Sequence, residues 1–345
     1  MKSTTPVLEC VPNFSEGRDQ VKIDAIAAAI ESVSGAHLLH VDISPAANRT
    51  VMTFAGDPEA VVEAAFQGIR KAAEVIDMRN QQGVHPRIGA TDVCPLVPLY
   101  NVTMDEAVSW SNALGKRVGE ELGIPIYLYE YSAAKEHRRA LPAIRKGQYE
   151  GFGEKIKLPD WLPDYGPAEF TPSTGATIIG ARDILVAFNI ALNTEDVSIA
   201  NQIARRIRES GYISDDKDQK QRVPGLLSKV RAIGWYMADY NCAQVSLNLL
   251  DFKENSPLRA WESCEALAKE MGVTLRGSEV IGLIPETCLL EAGSYVCLKN
   301  NEDIPQENQL LIHYAIQHLG LNSLKPFEEQ EKVLEYALAK AGIIS

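Results

Sequence analysis

No stretch of this 345-residue chain is apolar over the roughly 20 residues that a membrane-spanning helix needs. The first residues, Met1 to Pro6, have no apolar core of the kind an export signal carries, so a cytoplasmic protein is expected. Cysteine is sparse and unpatterned. The six residues Cys10, Cys94, Cys242, Cys264, Cys288 and Cys297 form no C-x-x-C pair, so neither a metal site nor a disulfide framework is expected, and the thiols read as reduced packing residues. Cys94 alone stands close enough in sequence to a histidine loop to share a cleft with it, although Pro95, Leu96 and Val97 fit a buried strand equally well. Positive charge is short as well: 34 Lys and Arg face 46 Asp and Glu, a net charge of −12. That balance argues against nucleic acid as a partner, because phosphate backbones demand a basic face. An aromatic RNP-type strand motif is also missing.

What the chain does have is a full apolar complement, 46% of its residues, enough to build one large core or two modest ones. Residues 7–12 read as a strand, residues 22–33 as a helix with Ile23, Ile26 and Ile30 at helical spacing, and residues 37–42 and 50–55 as two further strands. Asp57-Pro58-Glu59 opens the next helix with a cap, a first-turn proline and an early acid. Thr103 and Glu106 form a capping box for a helix ending near Gly123, ahead of a strand at 124–129. A helical turn or two follows around residues 138–141. The stretch 147–175, rich in glycine, proline and aromatics, reads as a long connection between domains.

The second half repeats the order more cleanly. A strand at 184–190 precedes a helix capped by Thr194, then come strands at 230–236 and 243–251, a helix opened by Ser256-Pro257, and a strand at 278–284. The β-α-β-β-α-β order is that of a ferredoxin-like unit. The expected fold is therefore α+β, two tandem ferredoxin-like subdomains at 1–180 and 181–345, with additional C-terminal helices at 305–320 and 326–342. The mixed-charge run from Asp215 to Arg222 reads as a solvated loop.

Chemistry concentrates in Gln81-Gln82-Gly83-Val84-His85-Pro86-Arg87-Ile88-Gly89-Ala90-Thr91-Asp92-Val93-Cys94-Pro95. Pro86 pushes His85 toward an extended backbone, and Gly83 and Gly89 allow sharp turns on either side. An imidazole on such a loop suits proton transfer, and a packing or surface role is the other reading; the residues alone leave both open. The remaining histidines, His37, His40, His137, His313 and His318, sit on expected strands and helices and read as packing or surface groups.

Together with Glu9-Cys10-Val11-Pro12-Asn13-Phe14-Ser15-Glu16-Gly17, Asn48-Arg49-Thr50 and Asp164-Tyr165-Gly166-Pro167, this loop resembles the formiminotransferase family, from about Val7 to the last helix. The resemblance implies transfer of a formimino group from N-formimino-L-glutamate to N5 of tetrahydrofolate, a late step of histidine degradation that uses folate as co-substrate and no metal. It puts His85 at the catalytic acid/base position and Asp42 at an aspartate of the same region. It also makes Gly166-Pro167-Ala168-Glu169-Phe170-Thr171-Pro172-Ser173-Thr174-Gly175 the folate-binding stretch, with Thr174 standing where animal members carry tryptophan. Substrate carboxylates call for placed guanidiniums, expected of Arg49, Arg87 and Arg182, with Asn13, Asn48 and Asn189 as neutral donors. Animal members continue into a cyclodeaminase, so a chain ending at Ser345 is expected to be the transferase alone, working beside a separate cyclodeaminase and dimerising as relatives do. Two other readings stand beside this one: a formyltransferase using N-formylglutamate, and a non-catalytic folate-binding or regulatory module.

Overall fold

The computed structural model describes residues 3–214 and 221–345, so most of the mixed-charge run that begins at Asp215 lies outside the described residues. The chain divides into two compact units, one running to Asp183 and taking in Leu338–Ser345, the other spanning Ile184–Ala337. The composition is mixed α+β, as expected.

In the first unit, β1 (Val7–Cys10) and β2 (Asn13–Phe14) are followed by α1 (Gln20–Glu31), β3 (Ala36–Ser44), β4 (Arg49–Gly56), α2 (Pro58–Val75) and β5 (Thr91–Tyr100). Then come α3 (Met104–Leu122), β6 (Ile126–Leu128), α4 (Leu141–Arg145), α5 (Gln148–Lys155) and β7 (Thr177–Ala181). The helix starts obey their sequence signals. Asp57 accepts hydrogen bonds from the Glu59 and Ala60 amides ahead of Pro58, and Thr103 and Glu106 cap each other reciprocally at α3, which ends on left-handed Gly123.

These strands make one seven-stranded sheet. β3 pairs with β4, β1 and β2 share the lane between β4 and β5, and all of these pairs are antiparallel. β7 then adds to β5 in parallel, and β6 to β7. The apolar stripes of α1 and α2, including Ile26, Ile30, Val61 and Ile69, enter one core with Leu8, Phe54 and Leu96 from the sheet. Each such fully buried aliphatic side chain contributes about 1.5–3 kcal/mol. Cys10 and Cys94 belong to this core, with sulfurs 3.5 Å apart. Cys94 therefore faces the packed interior, and all six cysteines are buried and free of disulfides.

The segment 147–175 is not a link between domains. It carries α5 and a 3-10 turn at Pro159–Trp161, and it leads into β7 of the same sheet. Its Phe152 and Ile156 pack with Tyr127, Tyr129, Ile144 and Ile178 as a second, smaller core. Apolar residues spaced among the glycines and prolines were enough to fold it onto the sheet.

The second unit contains β8 (Val186–Leu192), α6 (Val197–Ile207), β9 (Tyr212–Ile213), β10 (Arg222–Val223), β11 (Val230–Met237), β12 (Cys242–Leu249), α7 (Pro257–Glu270) and β13 (Leu275–Ile281). Its main sheet has the order β11-β12-β8-β13, antiparallel throughout. Asp196, not Thr194, caps α6; its carboxylate takes the Ser198 amide. The helix α8 (Glu286–Lys299), unassigned in the sequence reading, precedes α9 (Asn308–His318), α10 (Glu329–Lys332) and α11 (Leu334–Lys340). The expected single helix at 326–342 is broken at Val333, which is extended and bridges to Ile284. No helix among the described residues is long and apolar enough to cross a membrane.

Candidate functional site

Residues 76–90 form no regular element, yet they are tied down at both ends. The Ser15 hydroxyl donates to the Gly89 carbonyl at 2.7 Å and the Ser15 amide to the Ala90 carbonyl at 2.8 Å. Asn48, at a left-handed φ of 50°, donates from Nδ2 to the Gln82 carbonyl at 2.9 Å and accepts the Gly17 amide at 3.0 Å. Gln81 returns a bond to the Asn48 carbonyl at 3.0 Å. Gly83 and Gly89 do not take positive φ here. They permit close approach, since a Cβ would fall 2.1 Å from the Ala47 oxygen at Gly83 and 2.1 Å from the Ala176 oxygen at Gly89.

Within this frame the His85 ring donates from Nδ1 to the Pro86 carbonyl at 2.8 Å, which makes Nε2 the lone-pair nitrogen of the neutral ring. The same carbonyl receives Arg49 Nη1 at 3.4 Å. Arg49 then donates from Nη2 to Asp92 Oδ2 at 2.6 Å and from Nε to Asn13 Oδ1 at 2.9 Å. Arg145, at the end of α4, shares Asp92 Oδ2, and the other oxygen of Asp92 takes the Ile88 amide at 2.9 Å. A chain of bonds thus runs from Arg145 through Asp92, Arg49 and the Pro86 carbonyl to the histidine.

Two guanidiniums and one carboxylate leave an excess of one positive charge. Burial, followed by the charges of Arg49 and Arg145, pulls the His85 pKa well below its usual value, against the opposing effect of Asp92. Part of the residue stays open to solvent, which moderates the burial contribution without reversing the direction. Asp92 is fully enclosed; burial alone would raise its pKa, but Arg145 and Arg49 hold it down to about 2. Burial draws Arg49 down to about 10, with Asp92 resisting. At neutral pH the arrangement therefore holds two cations, one anion and an unprotonated imidazole.

The other sequence-derived residues divide. Arg87 is buried and turned away from solvent, forking onto Glu150 of α5 at 3.0 and 2.6 Å while Nε donates to Gln81 Oε1 at 2.7 Å. Asn13 and Asn48 are engaged in the frame just described. Asp42 on β3 accepts from His40 Nε2 at 3.2 Å, and its cross-strand row continues through Val51 to Asn13, roughly 10 Å across two strand spacings. Arg182 donates to the Asp183 carbonyl at 2.8 Å and is felt electrostatically by Cys10 and Tyr129. Asn189 belongs to the second unit, where it and Gln244 donate to Glu279 at 3.2 and 3.3 Å.

The stretch from Gly166 to Gly175 reaches the histidine loop only at its far end. Its beginning lies under α3: Gly166 has φ 79°, and a Cβ there would meet the Ile124 oxygen at 2.4 Å. Phe170 stacks at 5.3 Å from Tyr149 and 6.3 Å from Phe152. The end bonds to the loop directly, Met78 N to Ser173 O and Ala90 N to Thr174 O, both at 2.8 Å, and Gly175 bridges to Gly89. Phe170 thus packs into the protein, and the glycines serve close backbone contact.

Sequence reasoning missed Asp92, Arg145, Gln81 and Glu150. Asp92 carried a signal, an acid flanked by Ala90-Thr91 and a run of strand residues, where an ionised side chain must be paired. Arg145 lies 53 residues from its partner and carried none.

Fold and cluster together define a two-unit α+β protein with a buried cationic group around a loop histidine. Residues 7–182 match the family model of the formiminotransferase domain, N-terminal subdomain, and residues 187–339 that of the formiminotransferase domain. The chain belongs to the formiminotransferase family. It is 42% identical to the glutamate formimidoyltransferase of Streptococcus pyogenes serotype M1, over 90% of this chain and 99% of that protein. To the protein of the same name from Thermoplasma acidophilum it is 43% identical, over 86% of this chain and 94% of the other. The formimidoyltransferase-cyclodeaminase of Rattus norvegicus is 46% identical over 97% of this chain, which spans 60% of that relative's length.

Proposed function

We propose that this chain transfers the formimino group of N-formimino-L-glutamate to N5 of tetrahydrofolate, giving 5-formiminotetrahydrofolate and L-glutamate. The observation that carries the reading is the His85 ring donating from Nδ1 to the Pro86 carbonyl, which turns the lone pair to Nε2, in a chain whose relatives, matched over 99% and 94% of their own length, are named glutamate formimidoyltransferase. N5 attacks the amidine carbon as Nε2 takes the N5 proton. The tetrahedral intermediate then collapses, and the same proton passes from Nε2 to the departing glutamate nitrogen. Asp42, paired with His40, is assigned to the cationic amidine nitrogen.

Arg49 is assigned to docking of a donor carboxylate, with Asn13 beside it and Arg182 as a further polar contact. Asn48 and Arg87 are assigned to holding the loop. The stretch Gly166–Gly175 is assigned to folate, its end lying against the loop that carries His85. We read 1–180 and 181–345 as the two formiminotransferase subdomains, each built on a ferredoxin-like unit, a reading supported by the antiparallel pairings β3-β4-β1-β5 in the first and β11-β12-β8-β13 in the second. Histidine degradation in the cytoplasm, a homodimer and a separate cyclodeaminase acting on the product complete the proposal.

A steady-state assay with tetrahydrofolate and either N-formiminoglutamate or N-formylglutamate, read by folate absorbance, tests it. Preference for the formimino donor is expected. Preference for the formyl donor would make the chain a formyltransferase, and no turnover with either would leave only a folate-binding module.

A further inference from the structure

Arg145 lies far from the histidine loop in sequence, on the five-residue helix α4, and yet its guanidinium ends on Asp92, a carboxylate that anchors that loop through the Ile88 amide. Asp92 has two oxygens and uses both. Oδ1 takes the Ile88 amide, three residues after His85, and Oδ2 takes the two arginines together. Arg49 alone already pairs the carboxylate at 2.6 Å. A second guanidinium is therefore not required for charge balance; it overshoots it. The Nε of Arg145 is enclosed and has no hydrogen-bond partner. An overshoot and an unmatched donor are both unfavourable for stability, and such local cost is a mark of sites where geometry serves chemistry.

The position of the overshoot indicates what it serves. Arg49 bridges Asp92 to the Pro86 carbonyl, and that carbonyl is the acceptor for His85 Nδ1–H. A ring held this way keeps its hydrogen on Nδ1, and a nearby net cation disfavours a second hydrogen on Nε2. We propose that Arg145 is a positioning residue for His85, acting through Asp92 and Arg49 to hold the ring as the neutral tautomer whose Nε2 accepts a proton. Arg145 needs no contact with substrate for this role. The helix that presents it is itself held by Lys155, whose ammonium donates to the Ala143, Ile144 and Lys146 carbonyls at 2.8, 2.7 and 3.1 Å while its face lies against Trp161.

The inference rests on the transferase reading for its kinetic arm and on the ring alone for the other. Ring-proton NMR of the full chain, with His85 assigned by its loss in His85→Asn, gives the titration of His85 without any turnover. The wild-type ring should titrate well below the ordinary histidine value of about 6.5. In Arg145→Gln it should move up toward that value, with the acid limb of kcat/KM following it. kcat should be about ten- to a hundred-fold lower, as misplacement of a catalytic group predicts, and KM for folate unchanged. Arg145→Lys keeps the charge but not the planar guanidinium that reaches Asp92 Oδ2, and should leave the titration low while recovering part of kcat.

A wild-type ring titrating at the ordinary value overturns the proposal, whether or not either variant folds. So does a folded Arg145→Gln, judged by its thermal melt, in which ring and acid limb are both unmoved. Absence of turnover in the wild type would instead sink the transferase reading, and the ring titration would still decide the role of Arg145.

Discussion

Arg87 and Glu150 meet through two parallel bonds, Nη1 to Oε2 at 3.0 Å and Nη2 to Oε1 at 2.6 Å, and this fork joins the histidine loop to α5. The arginine is buried, whereas the glutamate side chain is 63% exposed, so the pair is half in solvent and screened on one side.

Arg87→Ala should for this reason act on stability. It removes the partners of the Gln81 side chain and carbonyl as well as that of Glu150, at a cost of about 1–3 kcal/mol. A urea midpoint checks this. An unchanged midpoint with a raised KM for the donor would return Arg87 to the substrate-binding role expected from sequence.

Asp92→Asn leaves two enclosed guanidiniums without their shared anion, and a loss of about 3–5 kcal/mol is expected. The pH dependence has a definite sign. A carboxyl held at about 2 when folded and near 3.9 when unfolded contributes stability that is complete above pH 3.9 and is lost as pH falls to about 2. Acid unfolding followed by circular dichroism should therefore be less steep between those limits in the variant, and equal slopes would contradict the assignment.

His85→Ala should lower kcat by about a hundred- to ten-thousand-fold, the range of general acid–base catalysis, with the folate dissociation constant nearly unchanged. In the wild type the active, unprotonated ring persists below pH 6.5 because its pKa is pulled down, so the acid limb of kcat/KM should fall below that value. Loss of folate binding in His85→Ala would move the residue into the folate pocket.

Lys155→Met removes three donors from the carbonyl end of α4 and should cost about 1–3 kcal/mol. Because α4 carries Arg145, kcat should fall along with stability, even though Lys155 is not assigned to any substrate. A variant with lowered stability and full kcat would show that α4 holds its place without this cap.

The β-α-β-β-α start of the first half and the β-α-β-β-α-β order of the second were readable from local signals, since alternation, helical spacing and the caps at Asp57, Thr103 and Ser256 act within a few residues; β5 and β7 were not assigned. The cap of α6 was misplaced by two residues because Thr194 and Asp196 offer the same chemistry. Segment 147–175 was misread for a different reason. Its glycines and prolines dominate the composition, while the packing of Phe152 and Ile156 against Tyr127 and Ile178 depends on residues from other elements. At the site, His85, Asn48 and Arg49 stood out in the motifs, while Gln81 and Asp92 beside them were given no role.

Local sequence sets the close-contact glycines at 83 and 89 and the alternation that makes the strands, because each depends on a residue and its near neighbours. The charge state of His85 was decided elsewhere. It depends on Arg49, Asp92 and Arg145 converging from β4, β5 and α4, and on the enclosure that strengthens their fields. Coulomb interactions act through space between groups that only the folded chain brings together, so no local pattern could encode them.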